Sequence, residues 1–345
     1  MTALIAWKPN CKDITTASFR LRALMPYQGT RKLGWPVEFF DIQNSHQYKI
    51  VIFQKAYTKE DYELAKRLKS QGTIIVFDMC DNHFYNPENN EKYARRAADM
   101  QHMIDIADHV IVTTDELGKL ISKENIFQID DYIDEPEKNI FYKNYIHYKI
   151  PRRFKKANLT NRLKLVWFGN AGIASQDYGL KDVNIVLPEL AELNKTIPLS
   201  LTIISNSPLK FREMIGNNHP FPTMYCEWKK HYFSHQLPFF DICLIPAGIN
   251  PYTRVKTNNR VVLSLSLGVP VIASPLPSYL PFAPYINFED WQENIIKIAS
   301  EPDSCPLAQR RGRPSLRLNQ RRMARSTSSI AAKRTRAQDD LSLPS

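Results

Sequence analysis

The stretch DICLIPAGINPYTRVKTNNRVVLSLSLGVPVIASPLPSY, residues 241–279, predicts a strand, a loop, a helix and a second strand. Ile242–Ile245 is a short apolar run that ends at Pro246, as a buried parallel strand does. An apolar stripe at helical spacing follows: Val261, Val262, Leu265 and Leu267. The predicted helix stops at Gly268, and Val269–Ala273 is the next buried strand. Such alternation is typical of a doubly wound α/β domain.

The loop of this stretch brings polar and basic residues to the start of the helix: Arg254, Lys256, Asn258, Asn259 and Arg260. A helix N-terminus offers unpaired N–H groups and about half a positive charge, so an anion is favoured there. Two or three cations beside it suit a doubly charged group such as a diphosphate. On the local pattern alone, a solvated basic loop is an equal alternative.

The segment KTNNRVVLSLSLGVPVIASPLPSY, residues 256–279, resembles the donor-binding helix and the following strand of sugar-nucleotide-dependent glycosyltransferases of the GT-B fold. It is most similar to bacterial "glycosyltransferase group 1"-like proteins, and a weaker resemblance runs from Ala3 to about residue 300. The best-known retaining group has two glutamates eight positions apart around this helix. Here position 260 is Arg and the helix interior has no acid. The resemblance therefore assigns neither retention nor inversion.

The chain of 345 residues is long enough for two domains of about 150 residues each. We predict two doubly wound Rossmann-like domains of α/β class, which the GT-B resemblance implies face a cleft. The acceptor-side domain covers residues 1–130, and the donor-binding domain covers residues 162–300. Residues 131–161, which are polar, charged and aromatic without a clear period, form the predicted connection.

The composition changes after residue 300. Lysine outnumbers arginine 24 to 12 through residue 300, whereas residues 301–345 hold one lysine, nine arginines and no aromatic residue. We expect this tail to be disordered, because it lacks the apolar residues of a core. A basic tail for nucleic acid or a membrane surface is one interpretation. The composition favours another, a reading-frame shift near residues 303–306.

Polar residues follow a β-branched strand, Thr73–Phe77, in the loop DMCDNHFYN. Four of them are candidate site residues: Asp78, Asp81, Asn82 and His83. Ligands of open α/β sheets bind beyond the carboxyl ends of strands. A metal site, a general base or acceptor clamp, and caps for the next helix are the open interpretations. Two acids and one His are a thin ligand set, so we predict no metal.

The family resemblance adds residues on both sides of the site. It places the S-x-R-x-R element, with Arg20 and Arg22, beside the active site on the acceptor side; two surface arginines on a helix are the alternative. It also implies donor-binding residues at three strand ends: Gly169, Asn170, Gly172, Ser205, Asn206, Glu227 and Trp228. A place for Trp228 in the core between strands is equally open.

The resemblance implies transfer of a sugar from a nucleoside-diphosphate sugar to a glycan or a lipid-linked acceptor. Lys256 and Arg260, with the N–H groups near Asn258, would stabilise the leaving diphosphate without a metal or a cofactor. In an inverting reaction Asp78 or Asp81 would be the base. A sugar-nucleotide 2-epimerase, a non-catalytic binding protein and a degraded enzyme are the alternatives. A dinucleotide dehydrogenase is disfavoured, because no G-x-G-x-x-G follows either first strand.

Composition also bears on the compartment and the partners. Five cysteines without a C-x-x-C spacing favour reduced thiols, and no apolar run approaches the roughly 18 residues of a membrane span. We predict a cytoplasmic protein without a signal peptide, with peripheral contact at the inner face of the membrane. The first 300 residues hold 36 basic and 31 acidic residues, so no specific nucleic-acid partner is predicted.

Overall fold

The computed structural model describes residues 4–134, 136, 138–172 and 178–300. The predicted disordered tail, residues 301–345, lies outside the described residues. The described chain forms two compact units. One consists of the residues up to Tyr132 together with Val255–Thr257, and the other consists of Ile133–Arg254 and the residues from Asn258 onward.

Six parallel strands form the sheet of the first unit: β1 (Ile5–Pro9), β2 (Val37–Phe39), β3 (Ile50–Gln54), β4 (Ile74–Met79), β5 (His109–Val112) and β6 (Ile126–Gln128). Their order is β2-β1-β3-β4-β5-β6. The order reverses between β1 and β3, and ligands of doubly wound sheets bind beyond the carboxyl ends of the strands at such a switch point.

The helices of the first unit are α1 (Ala17–Phe19), α2 (Met25–Lys32), α3 (Lys59–Ser70), α4 (Glu91–Ile106) and α5 (Asp115–Gly118). A π-helical turn, Arg20–Leu24, joins α1 to α2. α3 starts with a capping box: the Thr58 side chain accepts a hydrogen bond from the Asp61 amide, and the Asp61 carboxylate accepts one from the Thr58 amide.

Side chains of this sheet alternate between two core clusters. In β3, Val51 and Phe53 belong to one cluster, whereas Ile52 belongs to the second. β4 alternates in the same way, with Phe77 in the first cluster and Val76 in the second. Successive residues of a strand point to opposite faces, so the continuous apolar runs in the sequence reflect a sheet that is covered on both sides.

The second unit also has six parallel strands: β7 (Leu163–Phe168), β8 (Leu199–Ser205), β9 (Thr223–Glu227), β10 (Ile242–Ile245), β11 (Val271–Ala273) and β12 (Asn287–Phe288). The order is β12-β11-β10-β7-β8-β9. This is the strand order of nucleotide-binding Rossmann sheets, and its switch point lies between β7 and β10.

The helices of the second unit are α6 (Ile140–Lys156), α7 (Leu187–Leu193), α8 (Pro208–Met214), α9 (Lys230–Gln236), α10 (Asn259–Ser266) and α11 (Trp291–Ser300). The strand, helix and strand predicted for residues 241–279 are β10, α10 and β11. α6 lies within the segment that we assigned to the connection. The predicted α/β class with two doubly wound sheets is confirmed.

No helix within the described residues is both long enough and apolar enough to cross a membrane.

Candidate functional site

The switch point of the second unit holds most of the predicted donor-binding residues. β7 runs into a loop that starts at Gly169, and the next strand, β8, fixes this loop from the side. The Ser205 hydroxyl donates a hydrogen bond of 2.8 Å to the Gly169 carbonyl. The Asn206 side-chain oxygen accepts one of 2.9 Å from the Ala171 amide, and Asn170 Oδ1 accepts one of 2.9 Å from the Gly172 amide.

Glycine is favoured at two positions of the loop for different reasons. A Cβ at Gly169 would lie 3.0 Å from the Trp167 ring, closer than ordinary packing, so the missing side chain makes room for the indole, and Arg260 Nη1 lies within ordinary contact distance at 3.6 Å. Gly172 has φ +73°, and a Cβ there would lie 2.8 Å from the Tyr178 carbonyl oxygen. Only glycine adopts that backbone conformation at little cost.

A buried carboxylate joins the two loops that flank the switch point. Asp182 Oδ2 accepts a hydrogen bond of 2.9 Å from the Gly179 amide, and Asp182 Oδ1 accepts one of 3.0 Å from the Gly248 amide. Gly179 follows β7 in the chain and Gly248 follows β10. Our sequence reasoning missed Asp182. Its signal is an acid between two apolar positions, Leu180 and Val183, that are buried.

α10 begins at this edge of the sheet. Its N-cap, Asn258, makes no side-chain capping hydrogen bond. The half-buried Arg260 lies in the first turn, and its guanidinium carbon is 5.9 Å from the centre of the Trp167 ring at the end of β7. A helix N-terminus without a side-chain cap, next to a guanidinium and a glycine loop, is suited to bind an anion.

The end of β9 carries the last two predicted donor-binding residues. The Trp228 amide and the Tyr225 hydroxyl both donate hydrogen bonds of 2.7 Å to the Ser205 carbonyl. Glu227 is exposed and lies 3.2 Å from Lys229 in a surface ion pair. These two residues therefore lie beside the end of β8, and their contact with a nucleotide base stays a prediction.

The first unit has a charged cluster at the carboxyl ends of β3 and β4. Asp81 lies between two ammonium groups: Lys256 Nζ is 2.5 Å from Oδ1, and Lys55 Nζ pairs with Oδ2. Lys256 is on the short segment that belongs to the first unit, whose Val255 packs in the core of that unit. The Val255 carbonyl accepts a hydrogen bond of 3.1 Å from the Thr114 hydroxyl.

The two lysines control the protonation of Asp81. Burial opposes its charge, but Lys256 and Lys55 hold the pKa of the carboxyl group well below its usual range. Asp81 is therefore ionised at neutral pH, and its basicity is low. Lys55 has φ +53°, a backbone conformation that is uncommon for residues other than glycine. Residues in such conformations cluster at functional sites. Our sequence reasoning missed Lys55, although it follows β3 directly.

His83 extends the cluster toward Tyr57. Its Nε2 lies 3.8 Å from Asp81 Oδ2, and its Nδ1 is hydrogen-bonded to the Tyr57 hydroxyl. Burial lowers the pKa of His83 to about 3 and raises the pKa of Tyr57 to about 12, so both side chains are neutral at pH 7. The carboxylate next to Nε2 favours a proton on that nitrogen, and the Tyr57 hydroxyl then donates to Nδ1.

Asp78 and Arg22 form a buried ion pair. Arg22 Nη2 donates to Asp78 Oδ1 at 2.6 Å, and Nε is 3.2 Å from both carboxylate oxygens. Each side chain is 4% exposed. Burial opposes the charge, but the Asp78 and Asp131 carboxylates raise the pKa of the Arg22 guanidinium. This geometry favours a positioning role for Asp78 over proton acceptance.

The remaining predicted acceptor-side residues are also buried. Arg20 is 4% exposed and donates a hydrogen bond of 2.9 Å to the Ile14 carbonyl. The alternative of two surface arginines is therefore wrong for Arg20 and Arg22 alike. Asn82 is buried too, and its side-chain oxygen accepts a hydrogen bond of 3.1 Å from the Phe84 amide, which fixes the turn after β4.

The predicted residues thus lie in two groups. Arg260 and the loops after β7 and β8 lie together in the second unit, whereas Lys256 joins Asp81 and His83 in the first. Among the described side chains, no group of three or more His, Cys, Asp or Glu could hold a metal ion.

Comparisons with solved structures identify the fold. HepE of Anabaena, in complex with UDP, superposes with a TM-score of 0.61 at 12% identity, covering 95% of this chain and all of that one. A UDP-forming α,α-trehalose-phosphate synthase from Burkholderia vietnamiensis gives 0.53 at 12% identity, covering 94% and 84% of the two chains. A Listeria monocytogenes protein assigned as a UDP-N-acetylglucosamine 2-epimerase gives 0.50 at 10% identity, covering 96% and 98%.

No protein-family model and no curated protein sequence matches this chain significantly. At these identities the structural likeness shows the fold, and the predicted GT-B fold is confirmed.

Proposed function

We propose that this protein is a glycosyltransferase that moves a sugar from a nucleoside-diphosphate sugar to a glycan or a lipid-linked acceptor. One observation carries the proposal: Arg260 and the N-terminus of α10 adjoin Gly169 at the switch point of the second sheet. Ligands of doubly wound sheets bind at this position, and the groups there suit an anion. The Anabaena protein with the same fold was crystallised with UDP.

The donor would be bound along the carboxyl ends of β7, β8 and β9. The backbone of the Gly169–Gly172 loop, held by Ser205 and Asn206, would contact the sugar or the diphosphate. Glu227 and Trp228 would contact the nucleoside. Arg260 and the N–H groups after Asn258 would stabilise the charge that grows on the diphosphate as its bond to the sugar breaks.

The charged cluster of the first unit would serve the acceptor. Of the two predicted bases, Asp81 has the more exposed side chain, 15% against 4% for Asp78. We assign Asp81 to the reaction and Asp78 to the positioning of Arg22. Pairing of Lys256 or Lys55 with a bound anion would withdraw an ammonium group from Asp81, and the carboxylate would then become more basic.

A sugar-nucleotide 2-epimerase is the second candidate, because the Listeria protein covers nearly the whole chain with the same fold. Both candidates would bind the same donor, but an epimerase needs no acceptor. Incubation with a labelled UDP-sugar, with and without a membrane and glycan extract, separates them. Release of UDP that depends on the extract supports the transferase. Conversion of the sugar by protein alone supports the epimerase, and the absence of turnover in both assays indicates a binding protein.

Removal of divalent metal is expected to leave donor binding and turnover unchanged. The diphosphate would be bound by Arg260 and helix N–H groups, so it needs no bridging cation. The measurement is the affinity for UDP and the release of UDP, each before and after EDTA treatment. A loss that magnesium or manganese restores would contradict this account of the anion site.

A further inference from the structure

The helix α6 carries apolar residues on two opposite faces. Ile146, Ile150 and Phe154, at a spacing of four residues, are buried and attach the helix to the second unit. Phe141, Tyr145 and Tyr148, at spacings of four and three, are 78%, 46% and 60% exposed. At 100° per residue, this aromatic stripe lies on the side of the helix opposite the buried one. Packing among the described residues therefore leaves much of this stripe exposed.

The same helix is strongly basic. Residues 138–164 contain nine lysines and arginines and no aspartate or glutamate. Two of these cations lie against the aromatic stripe: the Arg152 guanidinium is 3.3 Å from the centre of the Tyr148 ring, and Lys149 Nζ donates a hydrogen bond of 2.9 Å to the Tyr145 hydroxyl. Lys164 pairs with Asp241, whereas Lys149 and Arg152 lie with the exposed aromatic rings on one face of the helix.

The neighbouring helix α9 extends this surface. Tyr142 of α6 stacks on His231 of α9 with ring centres 5.0 Å apart, and Tyr145 lies 5.5 Å from the Tyr232 ring. Residues 229–240 contain no acid either. The acid just before them, Glu227, pairs with Lys229. The positive field of α6 is therefore not cancelled by the helix beside it.

We propose that the exposed face of α6 docks on a membrane surface that contains anionic lipids. In such docking, aromatic and aliphatic side chains enter the boundary between headgroups and acyl chains, while lysine and arginine contact lipid phosphates. The first turn favours a bilayer over a nucleic acid, because Ile140 and Phe141 are 55% and 78% exposed. A bilayer provides an apolar medium for both, and a phosphate backbone does not. The inference does not depend on the proposed enzymatic function.

Co-sedimentation of the full chain with vesicles tests the proposal. We expect binding to phosphatidylcholine vesicles that contain about 30 mol% phosphatidylglycerol, weaker binding to phosphatidylcholine alone, and a decrease with salt. The double variant K149Q/R152Q should bind about 25-fold more weakly, since each cation contributes about 1 kcal/mol, or about fivefold. F141S should also bind more weakly, because its apolar contact is lost.

Matched controls are available elsewhere on the surface. Leu33 is 59% exposed, so L33S removes another exposed apolar side chain, and K119Q/K195Q removes two exposed lysines that have acidic partners. All variants should keep the melting temperature of the parent, and R260Q should keep its vesicle affinity. The proposal is overturned if the parent does not bind anionic vesicles at low salt, or if the α6 variants bind these vesicles as tightly as the parent does. Tighter binding to a single-stranded oligonucleotide, lost in the same variants, would also overturn it.

Discussion

Asparagine in place of Asp78 is expected to lower the free energy of unfolding by about 3–5 kcal/mol at pH 7, because it leaves a buried guanidinium without its main counter-charge. Arg22 and Asp78 are both 4% exposed, and three of the guanidinium contacts are to this carboxylate. Asp131 lies 3.4 Å from Arg22 Nη1 and compensates only in part. Urea unfolding of the parent and of D78N measures the difference.

Two further variants serve as controls for the D78N measurement. Replacement of both partners, in R22M/D78L, should destabilise the protein less than D78N does, since an apolar pair leaves no buried charge unpaired. Glu192 pairs with Lys195 on the surface, and E192Q should change stability by less than about 1 kcal/mol. If D78N unfolds like E192Q but abolishes turnover, Asp78 is the base and our assignment of Asp81 is wrong.

The second large effect concerns the anion site. R260Q is expected to weaken UDP binding about tenfold to a hundredfold, because a hydrogen bond to a charged group contributes about 1.5–3 kcal/mol. Glutamine keeps much of the length of the side chain but removes the charge. Stability without ligand should change little, since Arg260 is only half-buried. Isothermal titration calorimetry with UDP measures the change.

The control for this variant is R212Q, which removes an exposed arginine from α8 in the same unit. R212Q should bind UDP like the parent. Equal affinities for the parent and R260Q would mean that the anion site has been misplaced, whatever the fold.

Much of the fold could be predicted because it depends on local patterns. The apolar run Ile242–Ile245 and the stop at Gly268 indicate the strand and helix that the structure shows as β10 and α10. α6 could not be predicted in this way. Its buried residues recur every fourth position, and the exposed aromatic rings between them conceal that period. The strand order that creates the switch point at β7 and β10 is also not a local property.

Only those residues of the candidate site that directly follow a strand could be predicted from the sequence. The rule that ligands bind at carboxyl ends selects Asp81 and His83 after β4, and it could equally have selected Lys55 after β3. Which charges meet depends on the fold: Lys256 reaches a carboxylate 175 positions away in the chain. For the same reason the sequence does not show that Arg22 forms an ion pair with Asp78, which is 56 positions away in the chain.

The central claim is that the second unit binds a nucleoside diphosphate, and a thermal-shift panel of UDP, GDP, CDP and dTDP tests it most directly. One of the four, at about 100 times its dissociation constant, should stabilise the native protein by about 2.7 kcal/mol, and R260Q should reduce that stabilisation. The unfolding of the parent should not respond to the corresponding free nucleosides. No stabilisation by any of the four diphosphates, at concentrations up to the millimolar range, would contradict the claim.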